Sequence, residues 1–362
     1  KRGISTAEAL ERIAHALGIR RMDIGYAGLK DARAVTRQWI SVEHVAVERL
    51  GTLDIPNVRF VQFAVHSNKI KRGHLAGNHF VIRLRELKVR MAQAEQRAGD
   101  ILSVLASRGV PNYFGPQRFG YRRNNHLLGR AMIRDEADEF IDLFLGRPDD
   151  SDSPASSLAR QLYDQGHYQE AVDAWPRTFD QHRRVLRNVV KSRGRKRKAF
   201  DVVDRHLKGL LVSAYQSEIF NRVVAARMPN IDKLMKGDLA YKHVNGACFC
   251  AEDPVLEQPR CERFEISPTG PLLGLRMTAL TGAAGEIENA IVAAAQLSEP
   301  DLRRMKRYGA RGGRRPLRFQ PRNYQVAAGH DDIGPYLELR FELDPGCYAT
   351  TVVAEITKNP VE

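Results

Sequence analysis

Lys30 and Asp31 stand side by side in the stretch Gly25-Tyr-Ala-Gly-Leu-Lys-Asp-Ala-Arg-Ala-Val-Thr-Arg-Gln-Trp-Ile-Ser-Val42, with Arg33, Thr36 and Arg37 close behind. A carboxylate in a glycine-bounded turn among the cations of Lys30, Arg33 and Arg37 is biased toward its ionised form. Such an anion can act as a nucleophile or as a general base. Asp is also a frequent turn former and helix cap, and those are its commoner uses. Local chemistry alone therefore leaves both roles open for Asp31.

A second constellation, Cys248-Phe-Cys250 with Cys261, invites a zinc reading. Its spacing fits no pair of Cys-x2–4-Cys knuckles, and a fourth ligand would have to be His243 or a remote residue. These cysteines read as ordinary thiols, and no metal is expected. The chain carries no Walker loop, no Gly-x-Gly-x-x-Gly and no His-Glu metal motif, so no nucleotide cofactor is expected either.

The elements that must position these residues follow from periodicity. Ser5 with Glu8 makes a capping box, and Leu10, Ile13, Ala14 and Leu17 recur at helical spacing until Gly18. A strand is expected at 38–42, and another from Arg59 to His66. Asn78 to Arg85 alternates cleanly, with Phe80, Ile82 and Leu84 on one face. On pattern alone Phe80 is a core residue. Met91 to Leu105 gives a helical stripe closed at Gly109.

The middle of the chain shifts to helices and loops. A polar linker is expected at Pro148–Ser157, a long amphipathic helix over Leu207–Val224, short β-structure over Gly237–Phe249, and a turn-rich loop at Ile266–Pro271. At the C-terminal end Leu337–Leu343 alternates strictly, Asp344-Pro-Gly346 turns, and Tyr348–Ile356 is expected to pair back as a strand. Two strand-rich ends around a helical middle suggest one α/β domain interrupted by an insertion at about 112–315.

Charge narrows the function. The 362 residues carry 57 Lys plus Arg against 43 acids, a net charge of +14. An excess of that size points to an anionic partner, most often nucleic acid. Two runs concentrate it: nine Lys/Arg and no acid from Arg183 to Lys198, and eight with no acid from Arg303 to Arg318. Both are candidate nucleic-acid surfaces, a solvated charged face being the alternative. With 43% hydrophobic residues the chain can bury a core, and no apolar run reaches the ~18–20 residues of a membrane span. Four cysteines in a chain of this size suggest a reducing, cytoplasmic setting. No helix-turn-helix or zinc-finger pattern supports a DNA-binding regulator.

Gly28-Leu-Lys-Asp31 followed by Ala34-Val-Thr36 and Gln38-Trp39 resembles the signature of the TruD family of tRNA pseudouridine synthases. Four further segments resemble that family in its order: Gly77-Asn-His-Phe80, Val110-Pro-Asn-Tyr-Phe-Gly-Pro-Gln-Arg-Phe-Gly120, Ser213-Ala-Tyr-Gln-Ser217 with Phe220-Asn-Arg222, and Tyr348-Ala-Thr350. The block at 110–120 is the most specific of them. The resemblance implies an α+β chain with a pseudouridine-synthase fold, a mixed and largely antiparallel sheet flanked by helices. A mostly helical TRUD insertion domain at 112–315 would divide a catalytic domain made of 1–111 and 316–362.

The resemblance also implies chemistry. Asp31 would be the catalytic carboxylate, acting without metal or cofactor on a flipped-out uridine, most simply that at tRNA position 13. Phe80 would stack the base, and Asn78 would contact the uracil edge or the Asp31 loop. Lys30 and Arg33 would support Asp31 or bind phosphate. Gln117 and Arg118 would line the cleft and contact RNA. The expected partner is tRNA or another structured RNA, bound by a cytoplasmic monomer with no membrane association. A non-catalytic RNA-binding or chaperone protein that keeps the fold is the alternative. Two departures accompany the resemblance: Ala32 stands where a basic residue is common, and the family's further N-terminal strand segment ahead of Ser5 is not in this sequence.

Overall fold

The computed structural model describes residues 1–358, in two compact units, Lys1–Asn78 and the chain from His79 onward. In the first unit the helix Thr6–Leu17 is capped at Ser5, whose hydroxyl accepts from the Glu8 N–H at 3.1 Å. Gly18 ends it in the left-handed conformation, φ +68°. Its apolar face packs on β1 (Ile24–Tyr26), which pairs antiparallel with β2 (Ile40–Val42), and on Ile55. Residues 59–66 form no strand. Val61, Phe63 and Val65 are exposed and the segment finds no partner strand, so alternation there has no buried face to serve.

The second unit contains, in chain order, β3 (Asn78–Leu84, whose first residue closes the first unit), β4 (Val110–Pro111), β5 (Leu239–Lys242), β6 (Cys248–Cys250), β7 (Ile266–Leu272), β8 (Gly313–Pro316), β9 (Arg318–Phe319), β10 (Arg322–Asp331) and β11 (Gly334–Leu343). The order β10-β11-β3 makes a three-stranded sheet, and β10 and β11 form an antiparallel hairpin. Phe80, Ile82 and Leu84 turn one face of β3 onto a core shared with β11 and the helix Met91–Arg108.

A strand over Tyr348–Ile356 does not form. Both edges of β11 are taken, by β10 and by β3, so nothing remains for a fourth strand to pair with. Ala349–Thr357 is instead a helix that lays Val352 and Val353 on the same core, and tertiary packing overrides the β-branched composition.

The second sheet runs β6-β5-β7-β8, all antiparallel. The stretch read as a turn-rich loop at Ile266–Pro271 is its strand β7. Two prolines fit because β7 uses β5 along 266–268 and β8 along 269–272, so neither neighbour needs a full ladder. Gly270 lets the long helix Arg205–Arg227 approach: a Cβ there would lie 2.8 Å from Leu317 Cδ2 and 3.0 Å from the Phe220 ring. The helices between Asn125 and Asp201 pack with that long helix around a third core. The polar segment at 148–157 is an anchored turn, not a free linker. Asp152 is wholly buried against Arg160 at 3.0 Å, and Ser153 caps a helix beginning at Pro154.

In that core His182 stacks on Phe144, centroids 4.2 Å apart, and lies 4.6 Å from the Trp175 ring. Burial, with the charges of Arg160 and Arg122, pushes its pKa down to about 3 from 6.5. The folded chain therefore holds His182 neutral where the unfolded chain would protonate it. Stability is full above pH 6.5 and declines as pH falls toward 3, by up to about 1.4 kcal/mol per pH unit. His182→Phe should flatten the difference in unfolding free energy between pH 7 and pH 5, read by urea denaturation. Gly270→Val should lower stability by about 1–3 kcal/mol in the same assay, because the Leu317 side chain and the Phe220 ring are both fully buried and have nowhere to move.

Candidate active site

Asp31 lies in an irregular stretch, residues 27–39, and the first six residues hold it. The Thr36 N–H donates to the Lys1 carbonyl at 2.9 Å, Gly3 N–H to Ala34 O at 3.3 Å, and Arg2 bridges Val35. Thr6, only 1% exposed, makes a reciprocal pair with Lys30: its hydroxyl accepts from the Lys30 N–H at 2.8 Å and donates to the Lys30 carbonyl at 3.3 Å. Lys1 Nζ donates to the backbone carbonyl of Asp31 at 2.6 Å. These bonds fix the main chain and leave the Asp31 side chain exposed.

The cations that feel Asp31 are Lys30 and Lys1. Burial lowers the pKa of each ammonium, and the Asp31 charge works against that in both. Lys30 Nζ also donates to Asn78 Oδ1, which ties Asn78 to the loop. Arg33 and Arg37 are exposed on the same stretch. Sequence reading nominated Arg33 and missed Lys1, because the pairing of residues 1–3 with 34–36 carries no periodic signal.

Within the second unit, Gln117 and Arg118 line a pocket of about 260 Å³ with Gly115, Asn125, Leu210 and Tyr348. Arg118 reaches Ser213 Oγ and Tyr348 Oη, each at 3.4 Å, and its guanidinium lies 5.3 Å from the Phe114 ring centroid. Behind it Asn221 clamps Phe114 from both sides, accepting from its N–H at 2.9 Å and donating to its carbonyl at 3.0 Å. Arg315 completes the wall: it donates to Asn112 Oδ1 at 2.5 Å and to Gly346 O at 3.0 Å, with its guanidinium 4.4 Å from the Phe114 ring. Segments at 112–118, 213–221 and 346–350 thus meet around the half-buried Arg118 and Arg315.

A family model described as tRNA pseudouridine synthase D (TruD) matches residues 1–356. The chain belongs to the TruD family of tRNA pseudouridine synthases. It is 42% identical over 360 residues to the tRNA pseudouridine synthase D of Geobacter sulfurreducens, covering 99% of this chain and 86% of that one. It is 32% identical to that of Anaeromyxobacter dehalogenans, covering 100% and 85%. A crystal structure of a TruD protein from Methanosarcina mazei superposes with a TM-score of 0.85 at 24% identity, over 99% of this chain and 87% of that one, and shows the shared fold.

Membership gives the family's signature stretches a physical reading. Phe80 lies half-buried in the sheet core, 5.7 Å from the Phe341 ring, as its alternation required. The second basic run is not one surface. Arg314 forms a bidentate pair with Glu288, Arg315 is enclosed as above, and Arg318 is wholly buried, donating to Arg108 O and Cys261 O at 2.6 Å. Cys248 and Cys250 are exposed on β6, Cys261 is buried beside Arg318, and His243 bonds Ser267. Among the described residues, no three His, Cys, Asp or Glu side chains are grouped to hold a metal.

Thr6 is the hinge of the Asp31 loop. Thr6→Val keeps its shape, removes the hydroxyl and leaves the Lys30 N–H unpaired. It should cost about 1–2 kcal/mol in stability and speed hydrogen exchange at the Lys30 amide, read by denaturation and by exchange mass spectrometry.

Proposed function

We propose that the protein isomerises uridine to pseudouridine in tRNA, at position 13, with Asp31 as the catalytic carboxylate. The reaction breaks the C1′–N1 bond, turns the uracil and joins C1′ to C5. N1 gains a proton and C5 loses one, so no electrons are exchanged and no redox cofactor or metal is called for. Asp31 either attacks C1′ or takes up a proton as general base. The observation that carries this reading is Asp31 itself: a side chain left exposed on a main chain fixed by Thr6 and Lys1, in a chain that matches the family along its length.

Phe80 stacks the extruded uracil, and Asn78 contacts the base edge while steadying Lys30. Arg33 meets phosphate near the target nucleotide. Gln117 and Arg118 present their pocket to RNA. Residues 1–111 and 316–362 form the catalytic domain and 112–315 the insertion, residues 359–362 lying outside those described. The enzyme works as a cytoplasmic monomer. Among the described residues no helix is long and apolar enough to cross a membrane.

Incubation with unmodified tRNA, followed by carbodiimide-stop primer extension, should map one pseudouridine at position 13. Asp31→Asn should abolish that stop and leave tRNA affinity within about threefold of wild type. Phe80→Leu keeps the contact with Phe341 and removes the ring face, and should slow turnover without unfolding the protein. A full stop from Asp31→Asn would refute the mechanism.

A further inference from the structure

Resting on the tRNA reading, we propose that the exposed face of the helix Asp180–Lys191, continued by Arg193, Arg195 and Lys198, holds the phosphate backbone of the substrate RNA. The helix buries Val185, Leu186 and Val189 and turns Arg184, Arg187 and Lys191 outward. Those three are spaced i, i+3 and i+7, so they share one face and span about 10 Å along the axis. The next turn adds Arg193, Arg195 and Lys198, all exposed.

The patch gathers six exposed cations with no counter-charge, where several other cations of the same unit are paired: Arg147 with Glu139, Lys196 with Asp142, Arg197 with Asp135, Arg303 with Glu299. None of the six patch side chains has an ion-pair or hydrogen-bond partner among the described residues. The acid whose ionisation Arg184 favours, Asp204, is already engaged, capping the helix Arg205–Arg227 by accepting from the His206 and Leu207 N–H groups.

Local stability does not account for the arrangement. Like charges one turn apart repel, so Arg184, Arg187 and Lys191 on one face destabilise the helix slightly. Only Lys191, in the last turn, complements the helix dipole. Phosphates supply the missing charge. Each neutralised phosphate releases counterions and makes binding steeply salt-dependent, by about 0.7–0.9 in the slope of log affinity against log salt.

The test is the triple variant Arg184→Gln/Arg187→Gln/Lys191→Gln in the full chain. Its tRNA affinity and KM should weaken tenfold or more near physiological salt, kcat should change far less, and the salt slope should shallow by about 2–3. Thermal stability should hold or rise, since repulsion is relieved. Arg147→Gln/Arg303→Gln, which removes two paired cations, should leave the slope alone. An unchanged KM and slope in the triple variant overturns the proposal. So does a loss confined to phosphatidylserine vesicle binding with tRNA binding intact. A wild-type chain that makes no pseudouridine, yet whose tRNA binding is weakened by the triple variant, refutes the enzymatic reading and supports this surface.

Discussion

Asp31 sits where the chain has no regular structure, so its position depends on backbone hydrogen bonds brought to it by residues 1–6. An irregular loop loses about 1–2 kcal/mol of backbone freedom per residue when it is fixed, and something must offset that. Here the first turn of the helix Thr6–Leu17 does so through the Thr6 hydroxyl, with the strand-like pairing of residues 1–3 alongside 34–36. The bonds go to carbonyls and amides. The Asp31 side chain is left exposed, while its charge is felt by Lys1 and Lys30.

Arginine serves two opposed purposes in this chain. Enclosed guanidiniums tie separate elements together: Arg227 to Asp238 with two contacts of 2.9 Å, Arg314 to Glu288, Arg315 to Asn112 and Gly346, and Arg318 to the ends of two helices. A planar fork that stays charged can satisfy several acceptors at once, which a lysine cannot. Burial strips solvent from Arg315 and Arg318 and lowers the pKa of both, so their carbonyl partners are needed to hold them. The exposed cations of residues 184–198 are the reverse case, charge kept in water with nothing to neutralise it. The formal +14 therefore overstates what faces a partner in one region and understates it in another.

The two basic runs looked alike as sequence, and the structure separates them. In the first, Val185, Leu186 and Val189 are the buried side of a helix, and Arg184, Arg187 and Lys191 lie exposed on the other. In the second, Arg314 and Arg315 are consecutive in β8 and reach opposite partners, Glu288 and Asn112, while Arg318 of β9 is buried, and charge counting is blind to such partners. Prolines misled at β7 for a related reason. They report on local hydrogen bonding, while the strand is stabilised by two partial neighbours from elsewhere in the chain.

By itself the sequence determined the capped helix at 6–17, the alternating strand at 78–84, the helix at 91–108 and the signature stretches that carry family membership. Each of these depends on interactions a few residues apart, or on residue types held in fixed order. Only the tertiary structure decided that 349–357 is helical, because that turns on β11 having no free edge. Likewise it brought Arg315 into the wall behind Arg118 and set Thr6 and Lys1 around Asp31. Those contacts join residues 24 to more than 200 positions apart, a distance at which periodicity and propensity carry no information.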